Sequence, residues 1–132
     1  MICKLDAGGF WLELEINESD LNVFHETEDV RVSVECCGFS GKAVFGCETG
    51  SMVCFAKRLY EIYLSLEGKA VLDEDWGQSS FISIEGNGRG HFMIKGRLIS
   101  YHARGEKLQF EFEHETDQSY LKEFCCELRG IL

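Results

Sequence analysis

The sequence predicts an α+β fold: one antiparallel β-sheet of about six or seven strands, with two α-helices packed on one face. Most of the chain consists of short segments in which every second residue is apolar, as in half-buried antiparallel strands. Two segments instead repeat apolar residues every three or four positions, the pattern of an amphipathic helix. The resulting order, βββα–ββββα, is typical of α+β proteins.

Three strands are predicted before the first helix. Phe10–Ile16 alternates, with leucine and isoleucine on one face and tryptophan and glutamates on the other. The polar, acidic stretch Asn17–Asp29 holds another short strand or a loop. Val30–Cys37 alternates again, and the glycines of GFSG indicate a turn. Lys42–Cys47 returns as a third strand, paired with the second.

The first helix is predicted over Ser51–Leu66, where the apolar stripe has helical spacing. Either Ser51 or Thr49 can accept hydrogen bonds from the first free N–H groups of this helix. Gly68 can take the left-handed conformation that ends it.

The second half begins with a short strand, Lys69–Leu72, followed by a β-hairpin over Trp76–Tyr101. Asn87-Gly88 in this hairpin favours a tight type I′ turn, which needs positive φ at both central residues. A further strand is predicted over Glu106–His114. The chain then forms a helix, Gln118–Gly130, with Asp117 or Thr116 as its N-cap.

The chain length and composition indicate one domain, residues 1–132, with enough apolar residues to bury a core. No apolar leader follows Met1, and no stretch is long and apolar enough to span a membrane. The seven cysteines lie within apolar patterns, where free cysteine behaves as a small hydrophobic residue. We therefore expect free thiols and a cytoplasmic location.

The charge of the chain is strongly acidic, with 23 acids against 13 bases and a net charge of −10. Residues 1–48 hold ten of the acids and three of the bases. Such a charge repels nucleic acids and anionic membranes and favours a cationic partner. Solubility alone is the simpler explanation of the same charge.

The face of the sheet away from the helices is predicted to be open to water. Cross-strand ion pairs of Lys95 and Arg97 with facing glutamates would make it a self-neutralised surface. The alternative is a partner-binding surface, with an aromatic anchor among carboxylates. On that interpretation the candidate partner-binding residues are Trp11, Glu13, Glu15, Glu35, Glu111, Glu113, Asp73, Glu74, Asp75 and Trp76.

No catalytic or metal-binding motif is present in the sequence. The acidic run 73–75 lacks the spacing of a calcium loop, and GNGRG is followed by a strand rather than the helix of a phosphate-binding loop. The histidines are scattered, and the adjacent cysteine pairs are not CxxC. We therefore predict no enzyme activity, cofactor or metal, although a Cys–His nucleophile pair stays open.

Four segments of the chain resemble a family of small bacterial proteins. They are WLELEI, the helix over Leu59–Leu66 that runs into GKAVL, WGQSSFISIEGNGRGHFMIKGRL, and DQSYLKEFCCEL. Some members of this family are immunity proteins of the kind associated with wall-associated-protein (WapI) toxins. The resemblance implies a cytoplasmic protein that binds and neutralises a toxin domain, and the negative charge is compatible with a basic one.

The leading hypothesis is therefore a non-enzymatic, immunity-like protein that binds a partner through an acidic surface containing an aromatic residue. One alternative is a small-molecule-binding or catalytic domain with a pocket between sheet and helices, in which His114 or Cys125 would lie. Another alternative is a structural subunit of a homo-oligomer.

Overall fold

The computed structural model describes residues 1–16, 27–48, 50–74, 80–101 and 103–130. Its elements follow the order ββββα–ββββα. The first half comprises β1 (Ile2–Asp6), β2 (Phe10–Ile16), β3 (Thr27–Cys36), β4 (Phe39–Glu48) and α1 (Ser51–Ser65). The second half comprises β5 (Glu67–Asp73), β6 (Phe81–Asn87), β7 (His91–Tyr101), β8 (Lys107–Asp117) and α2 (Gln118–Arg129).

The strands form two separate four-stranded antiparallel sheets, β1-β2-β3-β4 and β5-β6-β7-β8. The prediction of one sheet of six or seven strands with both helices on one face is therefore wrong. In each sheet every strand pairs with the next one along the chain, because short connections favour such neighbours. Helix α1 lies between β4 and β5 in the chain, and these two strands are not hydrogen-bonded to each other within the described residues. The first sheet therefore ends at β4, and the second begins at β5.

Both sheets and both helices share one apolar core. The ring of Phe10 on β2 stacks on His114 of β8 at a centroid distance of 4.6 Å, and lies 6.0 Å from the ring of Phe112. Helix α1 packs against β5, α2 packs against β1, and the two helices contact each other. Each helix thus lies on the first strand of the opposite half.

Strand β1 has no counterpart in the predicted order. Cys3 and Leu5 are fully buried and alternate with exposed Ile2, Lys4 and Asp6, so the period of two is present in the sequence. The segment is only five residues long and precedes two glycines with positive φ, Gly8 and Gly9. So short an alternation is a weak signal, although β1 supplies the surface on which α2 packs.

The ends of the helices differ from the prediction at α1 and agree with it at α2. Gly50 is the N-cap of α1 and Leu66, with φ 68°, its C-cap, so neither Ser51 nor Gly68 has the predicted role. Thr49 lies outside the described residues. The N-cap prediction for α2 is confirmed, because Asp117 accepts a hydrogen bond from the Ser119 N–H. No helix in the described part of the chain is long and apolar enough to cross a membrane.

The tight hairpin turn lies at a different place from the predicted one. Asn87 does not have positive φ, and the β6–β7 connection is a longer loop in which its side chain accepts the N–H groups of Arg89 and His91. Two-residue turns with positive φ at both positions instead lie at Gly8-Gly9, between β1 and β2 (φ 64° and 89°), and at Cys37-Gly38, between β3 and β4 (φ 55° and 85°). Asparagine therefore acts here through its side chain, forming an Asx-type turn.

Candidate functional site

The outer face of the first sheet, which points away from the core, holds four of the candidate residues. Trp11 of β2 lies between Asp6 of β1 and Glu35 of β3 in the strand register. Its indole Nε1 donates a hydrogen bond to Glu35 Oε2 at 2.7 Å, and the Lys4 ammonium group lies 5.0 Å from the ring centroid. The half-buried indole is therefore held by an anion at its edge and a cation over its face.

The two other glutamates of β2 differ in their contacts. Glu15 lies opposite Arg31 on β3, and their charged groups are 4.0 Å apart, which makes a weak exposed ion pair. Glu13 lies between Lys4 and Ser33 in the register but makes no ion pair or hydrogen bond to any residue that the structure describes. Its carboxylate can therefore meet a partner without first breaking an internal contact.

Glu111 and Glu113 lie on the outer face of the second sheet. Arg97 Nε donates to Glu111 Oε1 at 3.0 Å, and Gln109 Nε2 donates to the same oxygen at 2.6 Å. The predicted cross-strand pairing is thus confirmed for Arg97. Lys95 lies opposite Glu113 in the register, but no ion pair joins these two described residues. A surface groove of about 360 Å³ lies among these side chains.

The predicted single binding surface is in fact two surfaces. Trp11, Glu13, Glu15 and Glu35 point outward from the first sheet, whereas Glu111 and Glu113 point outward from the second. Each outer face points away from the shared core, so the two groups lie on different sides of the molecule. The prediction placed them together because it assumed one sheet.

The acidic loop is only partly described. Asp73 ends β5 on the outer side of the second sheet, opposite Phe81, and its side chain is exposed. The Glu74 N–H donates to the Ser80 carbonyl at 3.1 Å. Asp75 and Trp76 lie outside the described residues. The described members of this loop therefore belong to the second sheet and not to the face that carries Trp11.

The fold does not bring His114 and Cys125, the candidate residues of the alternative site, into one pocket. Cys125 is buried in the core, where burial and then the neighbouring Cys126 raise the pKa of its thiol to about 12. A thiol that keeps its proton at neutral pH is a poor nucleophile. His114 instead lines a surface groove of about 400 Å³, and Cys125 is not among the residues that line it. The Cys–His pair is not assembled there.

The groove beside His114 was not predicted. It also contains His91, whose Nδ1 lies 3.6 Å from Glu115 Oε1, and Thr116, whose buried hydroxyl has no hydrogen-bond partner within the described chain. His91 and His114 are far apart in sequence and line the same groove because β7 pairs with β8. Only the strand register, which depends on the tertiary fold, could have indicated this neighbourhood.

Two comparisons returned no match: none of the curated proteins and none of the solved structures is similar to this chain. A family model, described as Immunity protein WapI-like family, matches residues 2–132. The match covers both sheets and both helices, together with the outer faces described above. On this evidence, the chain belongs to the WapI-like family of immunity proteins.

Proposed function

We propose that this protein neutralises a toxin by binding it, without catalysing a reaction, through the outer face of the first sheet. Membership of an immunity-protein family suggests a role against a toxin. The observation that supports this surface is Trp11, an aromatic side chain held on an acidic sheet face by Glu35 and Lys4. Large aromatic residues supply most of the binding energy in many protein interfaces.

The fixed position of Trp11 favours binding for an entropic reason. A side chain that is free in solution loses rotamer freedom when a partner immobilises it, at a cost of about 0.5–1.5 kcal/mol. The hydrogen bond to Glu35 and the Lys4 contact already restrict the indole before any partner arrives. A partner that covers it therefore gains apolar burial with less ordering cost.

The charge around Trp11 favours a basic toxin domain. Among the residues described on this face, six acids stand against three bases: Asp6, Glu13, Glu15, Asp29, Glu35 and Glu48 against Lys4, Arg31 and Lys42. Such a surface raises the association rate of a cationic partner, and salt weakens the effect. The chain as a whole adds to the attraction, since its net charge is −10.

Charge alone does not distinguish the two sheet faces. The second face also has more acids than bases, including Glu85, Glu111, Glu113 and Glu115. Its aromatic residues are Phe81, which lies 5.9 Å from the Arg97 guanidinium, and Tyr101, which is exposed at the end of β7. Neither ring is held by a side-chain hydrogen bond within the described residues, as Trp11 is held by Glu35. Trp11 is thus the reason to place the interface on the first sheet.

The test begins with the toxin itself. Immobilised protein captures its partner from a lysate of the source organism at low salt, and mass spectrometry identifies it. Expression of the captured toxin domain in a host should arrest growth, and co-expression of the wild-type protein should restore it. A captured protein that is not toxic, or whose toxicity persists under co-expression, would refute the immunity role.

The surface is then tested by variants of matched chemistry on the two faces. Glu13→Lys and Glu113→Lys each reverse one carboxylate that has no described partner, on the first and second sheet respectively. We expect Glu13→Lys to slow association several-fold at low salt and Glu113→Lys to change it much less. Trp11→Ala should raise the Kd about thirtyfold or more, as for a central interface residue. The opposite ranking would place the interface on the second sheet.

A further inference from the structure

The turn between β3 and β4 places a cysteine where the backbone disfavours it. Cys37 and Gly38 are its two central residues, with φ 55° and 85°, and Cys36 pairs with Phe39 across it. Such a turn normally uses asparagine, aspartate or glycine first, because a side chain at positive φ costs roughly 1–2 kcal/mol. An unfavourable backbone conformation retained at an exposed residue is a reason to look for a function there.

The strained turn brings two thiols together. Cys36 Sγ lies 3.8 Å from Cys37 Sγ, with Cys37 exposed and Cys36 half-buried. The other adjacent pair provides the contrast, since Cys125 is buried in the core while Cys126 is exposed on the surface of α2. Successive side chains of a helix point about 100° apart, whereas the turn directs both thiols to one place.

A disulfide is a poor use of this pair. Consecutive Cα atoms are about 3.8 Å apart across a trans peptide, while disulfides usually join Cα atoms about 4.4–6.8 Å apart. Closing the bond between Cys36 and Cys37 would therefore add strain to a turn that already contains an unfavourable φ. Two thiols held in contact and open to solvent instead form a ready-made pair of sulfur ligands.

The separation of the sulfurs decides which atom they can hold. With a bond to sulfur of about 2.3 Å, as for zinc, a 3.8 Å separation gives an angle of about 110° at the bound atom. That angle suits tetrahedral or pyramidal atoms and excludes a linear ion. No cluster of three or more potential metal ligands exists among the described residues, so zinc would lack part of its usual set of four.

We propose that Cys36 and Cys37 form a dithiol site that captures monosubstituted trivalent arsenicals. Such a compound brings its own carbon ligand and needs only two sulfurs to complete a pyramidal arsenic centre. When an organic arsenoxide reacts, two arsenic–sulfur bonds form and the arsenic–oxygen bond breaks. The oxygen leaves as water with the two thiol protons, and arsenic stays trivalent, so the reaction needs no oxidant or reductant.

The protonation of the pair is compatible with this reaction. Burial raises the pKa of Cys36, and the neighbouring Cys37 thiol raises it further. Cys36 therefore keeps its proton at neutral pH and is slow to react alone. Once the exposed Cys37 has bound arsenic, the second bond forms within one molecule. A linked second site of this kind typically strengthens binding by about 10²–10⁴.

The experiment uses phenylarsine oxide and native mass spectrometry of the full chain in excess glutathione, a monothiol. Wild-type protein should retain one phenylarsenic group, which 1,2-ethanedithiol removes. Cys37→Asn removes the thiol and supplies a residue suited to the turn, so this variant should fold. It should retain the group at least a hundredfold more weakly, and so should Cys36→Ser.

Cys126→Ser is the matched control, because it removes an exposed cysteine from the other adjacent pair. It should bind the arsenical as the wild type does. Equal retention by folded Cys37→Asn and by wild type would overturn the proposal. So would a wild-type adduct that glutathione strips away, since it would show attachment to single thiols only.

Discussion

Glu28 is a carboxylate that the fold buries at the start of a helix. It lies on β3 with 1% of its surface exposed, and its Oε1 accepts the Met52 N–H at 2.8 Å. Met52 is the second residue of α1, where backbone N–H groups lack partners within the helix. A residue 24 positions earlier thus does what a local Ser or Thr cap would do, because it accepts a hydrogen bond from a free N–H group in the first turn.

Glu28→Ala should lower the free energy of unfolding by about 1–3 kcal/mol, because it leaves a buried N–H without an acceptor. Glu28→Gln keeps an acceptor oxygen and should cost less. Urea denaturation followed by circular dichroism measures both. Asp117→Ala, which removes the exposed cap of α2, is the comparison and should cost about 1 kcal/mol. If Glu28→Ala unfolded at the same urea concentration as the wild type, the hydrogen bond between Glu28 and the Met52 N–H would not contribute to stability.

Buried thiols give the protein a dependence on alkaline pH. Burial, followed by the charge of Glu127, raises the pKa of Cys3 from 9.0 to about 11. Burial similarly raises the pKa of Cys125 to about 12. The unfolded chain then releases these protons near pH 9 while the folded chain keeps them. This contribution to stability is fully present below pH 9 and is lost as the pH rises through the folded pKa values.

We therefore expect each of the two thiols to steepen the fall in unfolding free energy above pH 9 by up to about 1.4 kcal/mol per pH unit. Cys125→Ala removes one titrating group, so its stability should fall less steeply between pH 9 and pH 10.5 than that of the wild type. The comparison is one of slopes, because the variant also loses packing. Parallel slopes for the two proteins would contradict the burial effect on Cys125.

At the scale of elements, the glycine of β7 shows how closely the second sheet is packed. A Cβ placed on Gly96 would meet the ring of Phe112 on β8 and would lie 2.9 Å from the Phe81 carbonyl oxygen. The ring thus fills the space that a side chain at this position would need. The carbonyl belongs to β6, so both neighbouring strands limit the site.

Gly96→Ala should destabilise the protein by about 1–3 kcal/mol, the usual cost of overpacking a filled core. Adding Phe112→Leu should restore part of the loss, since the smaller side chain leaves room for the methyl group but does not move the Phe81 carbonyl. Chemical denaturation of the two single variants and the double variant measures this coupling. Strictly additive effects would show that Gly96 and Phe112 do not compete for the same space.

Periodicity predicted most elements because it reflects which side chains are buried. The alternation in Phe10–Ile16 and the helical stripe from Met52 to Ile62 correspond to buried residues. Tyr120 has helical spacing from the buried Phe124 of α2 but is 47% exposed. The turn after β3 was predicted over Gly38–Gly41 but has Cys37 and Gly38 at its centre, because a cysteine at positive φ is uncommon and was assigned to the strand. The backbone preference of a residue can be predicted from the local sequence. Whether the fold holds that residue in an unfavourable conformation cannot, because it depends on the tertiary structure.

At the scale of the whole molecule, the division into two sheets decides the candidate site. The sequence indicated which residues of β2 and β8 point outward, and this prediction is confirmed for Trp11, Glu13, Glu111 and Glu113. It could not indicate that the two strands lie in different sheets, because alternation reports the burial of a strand and not its hydrogen-bonded neighbours. The ten predicted residues were therefore combined into one surface.

The shared core predicts that the two halves unfold together. Cys47 lies in β4 of the first half and Cys125 in α2 of the second, and both are buried. In low concentrations of urea, we choose conditions in which the protein opens and closes faster than a thiol reagent reacts. The labelling of Cys47 and Cys125 should then report the same free energy of opening. Mass spectrometry of the digested protein measures each rate. Each rate is divided by the labelling rate of the same cysteine in the unfolded chain, and a tenfold difference between the two ratios would show that the halves open separately.

The position of each helix on the opposite half also bears on how such a chain could arise. A single ββββα unit, alone, would leave its first strand uncovered and its helix without a surface to cover. Two copies of that unit could exchange helices and form a homodimer with the arrangement seen here within one chain. Duplication and fusion of one such gene would then make the exchange permanent, while each half could change its outer face independently.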